Sequence, residues 1–402
     1  MRPHAFAQPV RSVLGACLLV ALSSPAFGFV KFNDGHDEIF VTGTVGMGYD
    51  TNIYASSNSV SDTTFDGTLN LDYARKAGML GVNGNLGWNF TKFGSHTSED
   101  FADPHTHLEL TKGGGRTTGS LTLGAERRSR TEDALNLRTV SWDYNAGLNV
   151  KYPVIERYSI AGQVGYDYQD YLNDSSAFSG NSINDPALFS IRTYTGSADL
   201  FYVYTSERDL LGGYRLRVTD TTNGTRSYDH AFTLGTTGKL LPKLNGTVRL
   251  GYQFRETDRG NLPLQAATPD TTSERFGAYT ALASATWTVT KRFNVTGVAS
   301  RDFSTLATDV NVDTTAVMLD ANFAAKAKLS LFAGVGAGHI RFLGAASGGR
   351  TDTYETAHVG VSYTLNDHLK VTLSGLYYKN WSLLKQADYD RSTISLIVSS
   401  RW

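Results

Sequence analysis

The chain has 402 residues, a net charge of −1, 41% hydrophobic residues and a single cysteine. That length suits one large barrel or about two to three ordinary domains, and interspersed charge gives no basic face for a nucleic acid. Beyond residue 28 no apolar run reaches the ~20 residues that a membrane-spanning helix needs. The abundance of Tyr, Phe and Gly over Met and Pro suits strands joined by turns.

Residues 1–28 read as a secretory leader. Arg2 and Arg11 supply a basic start, Val13–Leu22 an apolar stretch, and Ala26-Phe27-Gly28 the small residues before a cut, with Phe29 as the expected first mature residue. Leu14-Gly15-Ala16-Cys17 resembles a lipoprotein box, but most of the apolar stretch follows the cysteine, which is the wrong order. Cleavage after Gly28 would leave an exported chain with neither disulfide nor thiol chemistry.

From there the hydrophobic period is two rather than 3.6. Val140, Trp142, Tyr144, Ala146, Leu148, Val150 and Tyr152 alternate with Ser141, Asp143, Asn145, Gly147, Asn149 and Lys151. Tyr158, Ile160, Val164, Tyr166 and Tyr168 continue the pattern. So do Leu244 to Phe254, Tyr279 to Val289, and Ile394 to Val398. About eighteen such segments (16–18) are expected, within the range of outer-membrane barrels.

The links alternate too. Short ones are expected at 75–78, 112–115, 153–157, 206–209, 241–243, 290–292, 325–328 and 366–368. Long polar ones are expected at 51–62, 94–103, 130–137, 173–186, 257–272, 344–351 and 384–389. Short periplasmic turns and long outer loops are the layout of a transmembrane barrel. Closure satisfies every backbone group in hydrocarbon and leaves no edge. Tyr152, Tyr158, Phe293 and Tyr363 beside short turns, and Trp142, Tyr166, Tyr168, Tyr252, Phe254 and Tyr377 toward long loops, would form two interfacial girdles. The fold expected is therefore all-β: a transmembrane antiparallel up-and-down barrel over residues 29–402, in contact with outer-membrane lipid.

The last segment alternates and ends in Arg401-Trp402. This resembles the terminal assembly signal of outer-membrane barrels, usually a Phe, and implies the barrel-assembly machinery as a partner. The stretch Val45-Gly46-Met47-Gly48-Tyr49-Asp50-Thr51-Asn52-Ile53-Tyr54 resembles the opening strand of the β-barrel porin 2 family, where Gly-Tyr-Asp-x-Asn-aliphatic-aromatic leads into the first outer loop. Members often accompany exopolysaccharide assembly genes. The resemblance implies a porin-like channel of the bacterial outer membrane and a conduit or partner role in exopolysaccharide export. Small polar solutes are the other expected cargo. The alternative is a structural barrel with a plugged lumen, whose loops 173–186 and 257–272 bind surfaces.

An eighteen-stranded barrel is wide enough for water. Period two places Asp72, Asp143, Asp167, Asp199, Arg215, Arg217, Arg249, Arg255 and Arg391 toward that lumen. Arg215 with Arg217, and Arg249 with Arg255, would either form a basic wall that orients solutes or pair with acids in a hydrated interior; the second is the simpler expectation. No enzyme, cofactor or metal site is expected. His105-Thr106-His107 and His230 sit in no catalytic motif. Lys112-Gly113-Gly114-Gly115-Arg116 lacks the Gly-Lys-Ser/Thr ending of a phosphate loop and reads as a turn. The segment Asn173–Asp185 lacks calcium-loop spacing.

Overall fold

The structure is a computed structural model that describes residues 30–75, 78–172, 187–259, 273–344 and 348–401. The expected leader, Trp402, the link 173–186 and most of the link 257–272 lie outside the described residues.

Nineteen strands follow one another: β1 (Val30–Phe32), β2 (Asp37–Asp50), β3 (Asp62–Arg75), β4 (Gly81–Phe93), β5 (Phe101–Lys112), β6 (Thr118–Glu132), β7 (Leu137–Ile155), β8 (Tyr158–Tyr171) and β9 (Ile191–Thr205). Then come β10 (Arg208–Thr221), β11 (Thr225–Leu241), β12 (Leu244–Arg259), β13 (Glu274–Thr290), β14 (Phe293–Thr305) and β15 (Asn311–Lys326). The last are β16 (Leu329–Phe342), β17 (Thr351–Thr364), β18 (Leu369–Ser382) and β19 (Tyr389–Arg401). Each of β2 to β19 pairs antiparallel with the next in sequence. The ring closes where β19 pairs with β2, from Thr393↔Asp50 to Arg401↔Thr42. The result is a closed eighteen-stranded antiparallel barrel. The short β1 pairs with β2 from Val30↔Ile39 to Phe32↔Asp37. It covers the edge of β2 that β19 does not reach.

The alternation in the sequence becomes the two faces of the wall. Val164, Leu234 and Tyr279 expose 63%, 74% and 75% of their surface, on the same face as Leu148, Leu200 and Leu250. A soluble protein does not leave so continuous an apolar belt in water; a lipid bilayer covers it. Aromatic pairs ring this outer face at both ends. Tyr158 stacks near Tyr202, and Phe293 near Phe323, beside the short turns; Trp142–Tyr144–Tyr168 and Tyr252–Tyr279 lie toward the loops.

One end carries the short turns. Five of them are two-residue links at 156–157, 206–207, 242–243, 291–292 and 327–328. The glycine-rich link lies between β5 and β6 and is a turn, with Gly115 at φ 86°. Three link boundaries expected from sequence are corrected. The long loop 130–137 is a four-residue turn, 133–136, because β6 and β7 run on to Glu132 and from Leu137. The loop 257–272 begins later, because β12 continues to Arg259. The short link 153–157 also shrinks. Pro153 stays in β7 opposite Ser159, with a register shift before Ile155, as a residue without an N–H requires.

Candidate functional site

Interior positions change character along the barrel axis. On β7, Thr139, Ser141 and Asp143 near the loop end are buried, whereas Asn145 and Asn149 nearer the turn end are exposed. On β12, Thr257, Arg255 and Gln253 are buried, and Arg249 and Thr247 are partly open. The lumen is therefore open from the turn end and occluded at the loop end.

Two strand pairs cause the occlusion. The tip of the β6–β7 hairpin folds inward. Thr131 Oγ1 donates to the Ile53 carbonyl at 2.8 Å and Asn136 Nδ2 to the Ala55 carbonyl at 3.1 Å, in the link after β2. Arg138 pairs with Glu99 at 2.9 Å and lies over the rings of Phe93 and Phe101. Farther around, Tyr389 Oη donates to Asp133 at 2.8 Å, and Arg350 donates to Asn136 Oδ1 at 3.3 Å. A tip that touches β4, β5, β19 and the link before β17 at once lies across the interior.

The end of the β14–β15 hairpin folds in from the far side. Arg255 Nη1 donates to the Ser304 carbonyl and to Asn311 Oδ1, both at 2.8 Å. Asp309 accepts from Thr221, Asn223 and Thr225 at 2.6–2.8 Å. The two hairpins share one apolar cluster, in which Leu135 and Leu137 pack against Tyr171, Leu188, Ile191 and Ala307.

Seven of the nine charged residues expected in the lumen are held in ion pairs. Asp229 is clamped between Arg255 Nη2 and Arg217 Nε, each at 2.7 Å, and both Asp229 and Arg255 have 0% exposure. Asp302 accepts from Arg215 at 2.7 Å and Arg217 at 3.1 Å, across four strands. Arg249 holds Asp199 at 2.7 Å, and Arg391 holds Asp50 at 2.6 Å. Asp72 accepts from Thr42 at 3.0 Å and Asn85 at 2.7 Å. Asp143 accepts from Ser141 at 2.7 Å and pairs with Arg128 at 3.2 Å. Asp167 lies opposite Asn145 and Thr193. The arginines thus form no continuous basic wall, because each has a carboxylate at hydrogen-bond distance.

Asp229, Asp302, Asp50 and Asp103 are partners the sequence reading missed. Their signal was present: each occupies an interior period-two position facing an arginine from another strand.

The histidines are dispersed. His105 Nε2 lies 2.9 Å from Asn70 Oδ1, His107 is exposed on β5, and His230 stacks between Tyr214 and Phe254 on the outer face. Among the described residues no group of three metal-ligating side chains converges. At the mouth, burial and the Glu99 carboxylate push the Tyr54 hydroxyl up to about 12, so it stays a donor to Glu99 at 3.2 Å.

Among solved structures, OpdK of Pseudomonas aeruginosa with vanillate is similar, with a TM-score of 0.49 and 12% identity over 93% of this chain and 100% of that one. OccK2 (OpdF) of the same organism gives 0.48 and 12%, over 93% and 99%. The FrpB iron transporter of Neisseria meningitidis gives 0.45 and 10%, over 86% and 62%. No curated protein sequence matches the chain. Residues 214–401 match the family described as Putative beta-barrel porin 2. The match begins within β10 and does not include the opening-strand motif, so a second, separate part of the chain carries the resemblance. Over residues 214–401 the chain is similar to the β-barrel porin 2 family, and its fold is a closed eighteen-stranded antiparallel barrel.

Proposed function

We propose that the protein is a passive, non-enzymatic channel for small polar solutes, with access controlled at the loop-end mouth. One observation carries this reading: a closed eighteen-stranded wall with an apolar outside encloses a polar inside that is open at one end. Barrels of 16–18 strands enclose an aqueous passage. Every arginine named in the lumen is paired with a carboxylate, so weak ion selectivity follows.

Export of an exopolysaccharide is the finer role that family resemblance suggests. It is retained as a second reading because a long polymer needs the mouth cleared, and the polar segment 127–132 of one inward hairpin can exchange its contacts for water. The plugged structural barrel is the contrary reading. Two further roles belong with the proposal: residues 1–28 act as the export leader, and Trp402 as the assembly signal.

Liposome swelling tests the channel. Proteoliposomes in isotonic solutions of neutral sugars should swell, at rates that fall with sugar size. Swelling no faster than protein-free vesicles for the smallest sugar would refute it.

A further inference from the structure

The wall is unzipped at two seams, both toward the loop end. β5 and β6 pair from Lys112↔Gly119 only as far as His105↔Glu126, although β5 begins at Phe101 and β6 runs to Glu132. β13 and β14 pair only as far as Ala281↔Arg301, although β13 begins at Glu274 and β14 ends at Thr305. The two inward hairpins start at these seams.

The seams are fastened differently. At β13–β14 the inward end is held by six charge-assisted hydrogen bonds: Arg255 reaches the Ser304 carbonyl, Thr305 and Asn311 from β12, and Asp309 takes three donors from the end of β10, the turn after it and the start of β11. At β5–β6 the missing ladder is replaced by one carboxylate. Asp103 accepts from the Ser129 backbone N–H at 2.6 Å, from Ser129 Oγ at 3.0 Å and from Arg127 Nη1 at 2.6 Å. The next residue of β5 is Pro104, which has no N–H to offer a ladder, so little backbone pairing is forgone there. The segment Arg127-Arg128-Ser129-Arg130-Thr131-Glu132 is polar on both faces. It has no apolar stripe that must meet lipid, so water suits it inside the lumen or above the membrane.

We propose that the tip of the β6–β7 hairpin, residues 127–138, is a hinged gate that swings about the β5–β6 seam, while the β14–β15 end is the fixed jamb against which it closes. The proposal rests on the channel reading. In the closed position the gate is latched at its rim by Thr131 to Ile53, Asn136 to Ala55, Asp133 to Tyr389 and Asn136 to Arg350, and beside the seam by the Arg138–Glu99 pair. In the open position these bonds go to water, the Leu135 and Leu137 contacts with the shared cluster are lost, and the lumen joins the outside. Two arrangements separated by a small set of exchangeable bonds are what a two-state element needs.

The test couples gate to jamb side. Asn136→Cys and Arg350→Cys are introduced together; the natural chain has one cysteine, Cys17, so bridging by a short bis-maleimide is assigned by mass. Planar-bilayer recordings compare the bridged double variant with each single variant treated identically. The gate predicts at least a tenfold loss of open time on bridging. It also predicts a rise in open time for an unbridged Arg350→Ala, Tyr389→Phe variant, which removes two latches. Equal conductance before and after a mass-confirmed bridge overturns the gate and leaves the channel standing. No conductance in wild type and in the Arg350→Ala, Tyr389→Phe variant alike overturns the channel reading and the gate with it.

Discussion

Asp229 shows what single residues contribute. It lies between Arg217 and Arg255 with no exposure to water. Removing one member of a buried ion pair leaves an uncompensated charge and costs about 3–5 kcal/mol. Asp229→Ala should therefore lower the heat-unfolding midpoint of the detergent-folded barrel sharply, whereas exposed Glu207→Ala, which breaks only the Lys239 pair, should leave it nearly unchanged. Gln253 is the opposite case. It is fully buried and neither amide atom has a hydrogen-bond partner. An unsatisfied buried polar group costs about 1–3 kcal/mol, so Gln253→Met should stabilise the barrel by that order, measured by the same midpoint. A fall in the midpoint would contradict it.

Asp133 carries the pH dependence. It lies in the 133–136 turn, beyond the membrane-spanning strands. Burial raises its carboxyl above 3.8; the Tyr389 hydroxyl and Arg391 pull it down, and Asp50 pushes it up. Tyr378 stacks on Tyr389, Tyr354 stacks on Tyr378, and Arg350 with its partner Asp352 stands on β17 and the link before it. A raised carboxyl means the closed mouth binds a proton that a solvated Asp133 gives up. The contribution to closure is complete below 3.8 and disappears as pH rises through the raised value. Open time should then increase with pH across that window, and Asp133→Asn should flatten the profile.

At the scale of the strand, the sequence was legible wherever lipid dictates one face. Leu148 and Val150 against Asn145 and Asn149, or Leu250 and Tyr252 against Arg249 and Gly251, declare face and register by composition. Val164→Arg places a charge at the middle of β8 on the lipid face and should cost about 2–4 kcal/mol; Gln163→Arg, one residue away on the inner face, should cost far less. Equal losses in urea refolding titrations would mean the faces are misassigned. Legibility failed where a strand leaves the lipid. Arg130 to Glu132 is polar at every position, so it reads as a loop, yet it is strand. Arg127 and Ser129 meet Asp103 across the seam rather than acyl chains, and a wall that faces protein on one side and water on the other needs no apolar stripe.

At the scale of the molecule, closure depends on residues that no local pattern connects. The register Thr393↔Asp50 joins the two ends of the chain, and the Asp50–Arg391 pair sits at that seam. The barrel and its strand number follow from counting alternations. The occluded mouth does not, because it arises from contacts such as Tyr389 with Asp133, 256 residues apart. Charge pairing in the lumen was foreseeable in kind but not in partner, since period two gives a face and not an angular position around the ring.

The central claim is that this ring of strands conducts. Single-channel recording of the purified wild-type protein in a planar bilayer measures it directly. The account predicts discrete, stepwise conductance with little preference between small anions and cations, interrupted by closures. A bilayer that contains inserted protein and stays silent at every applied voltage would contradict it.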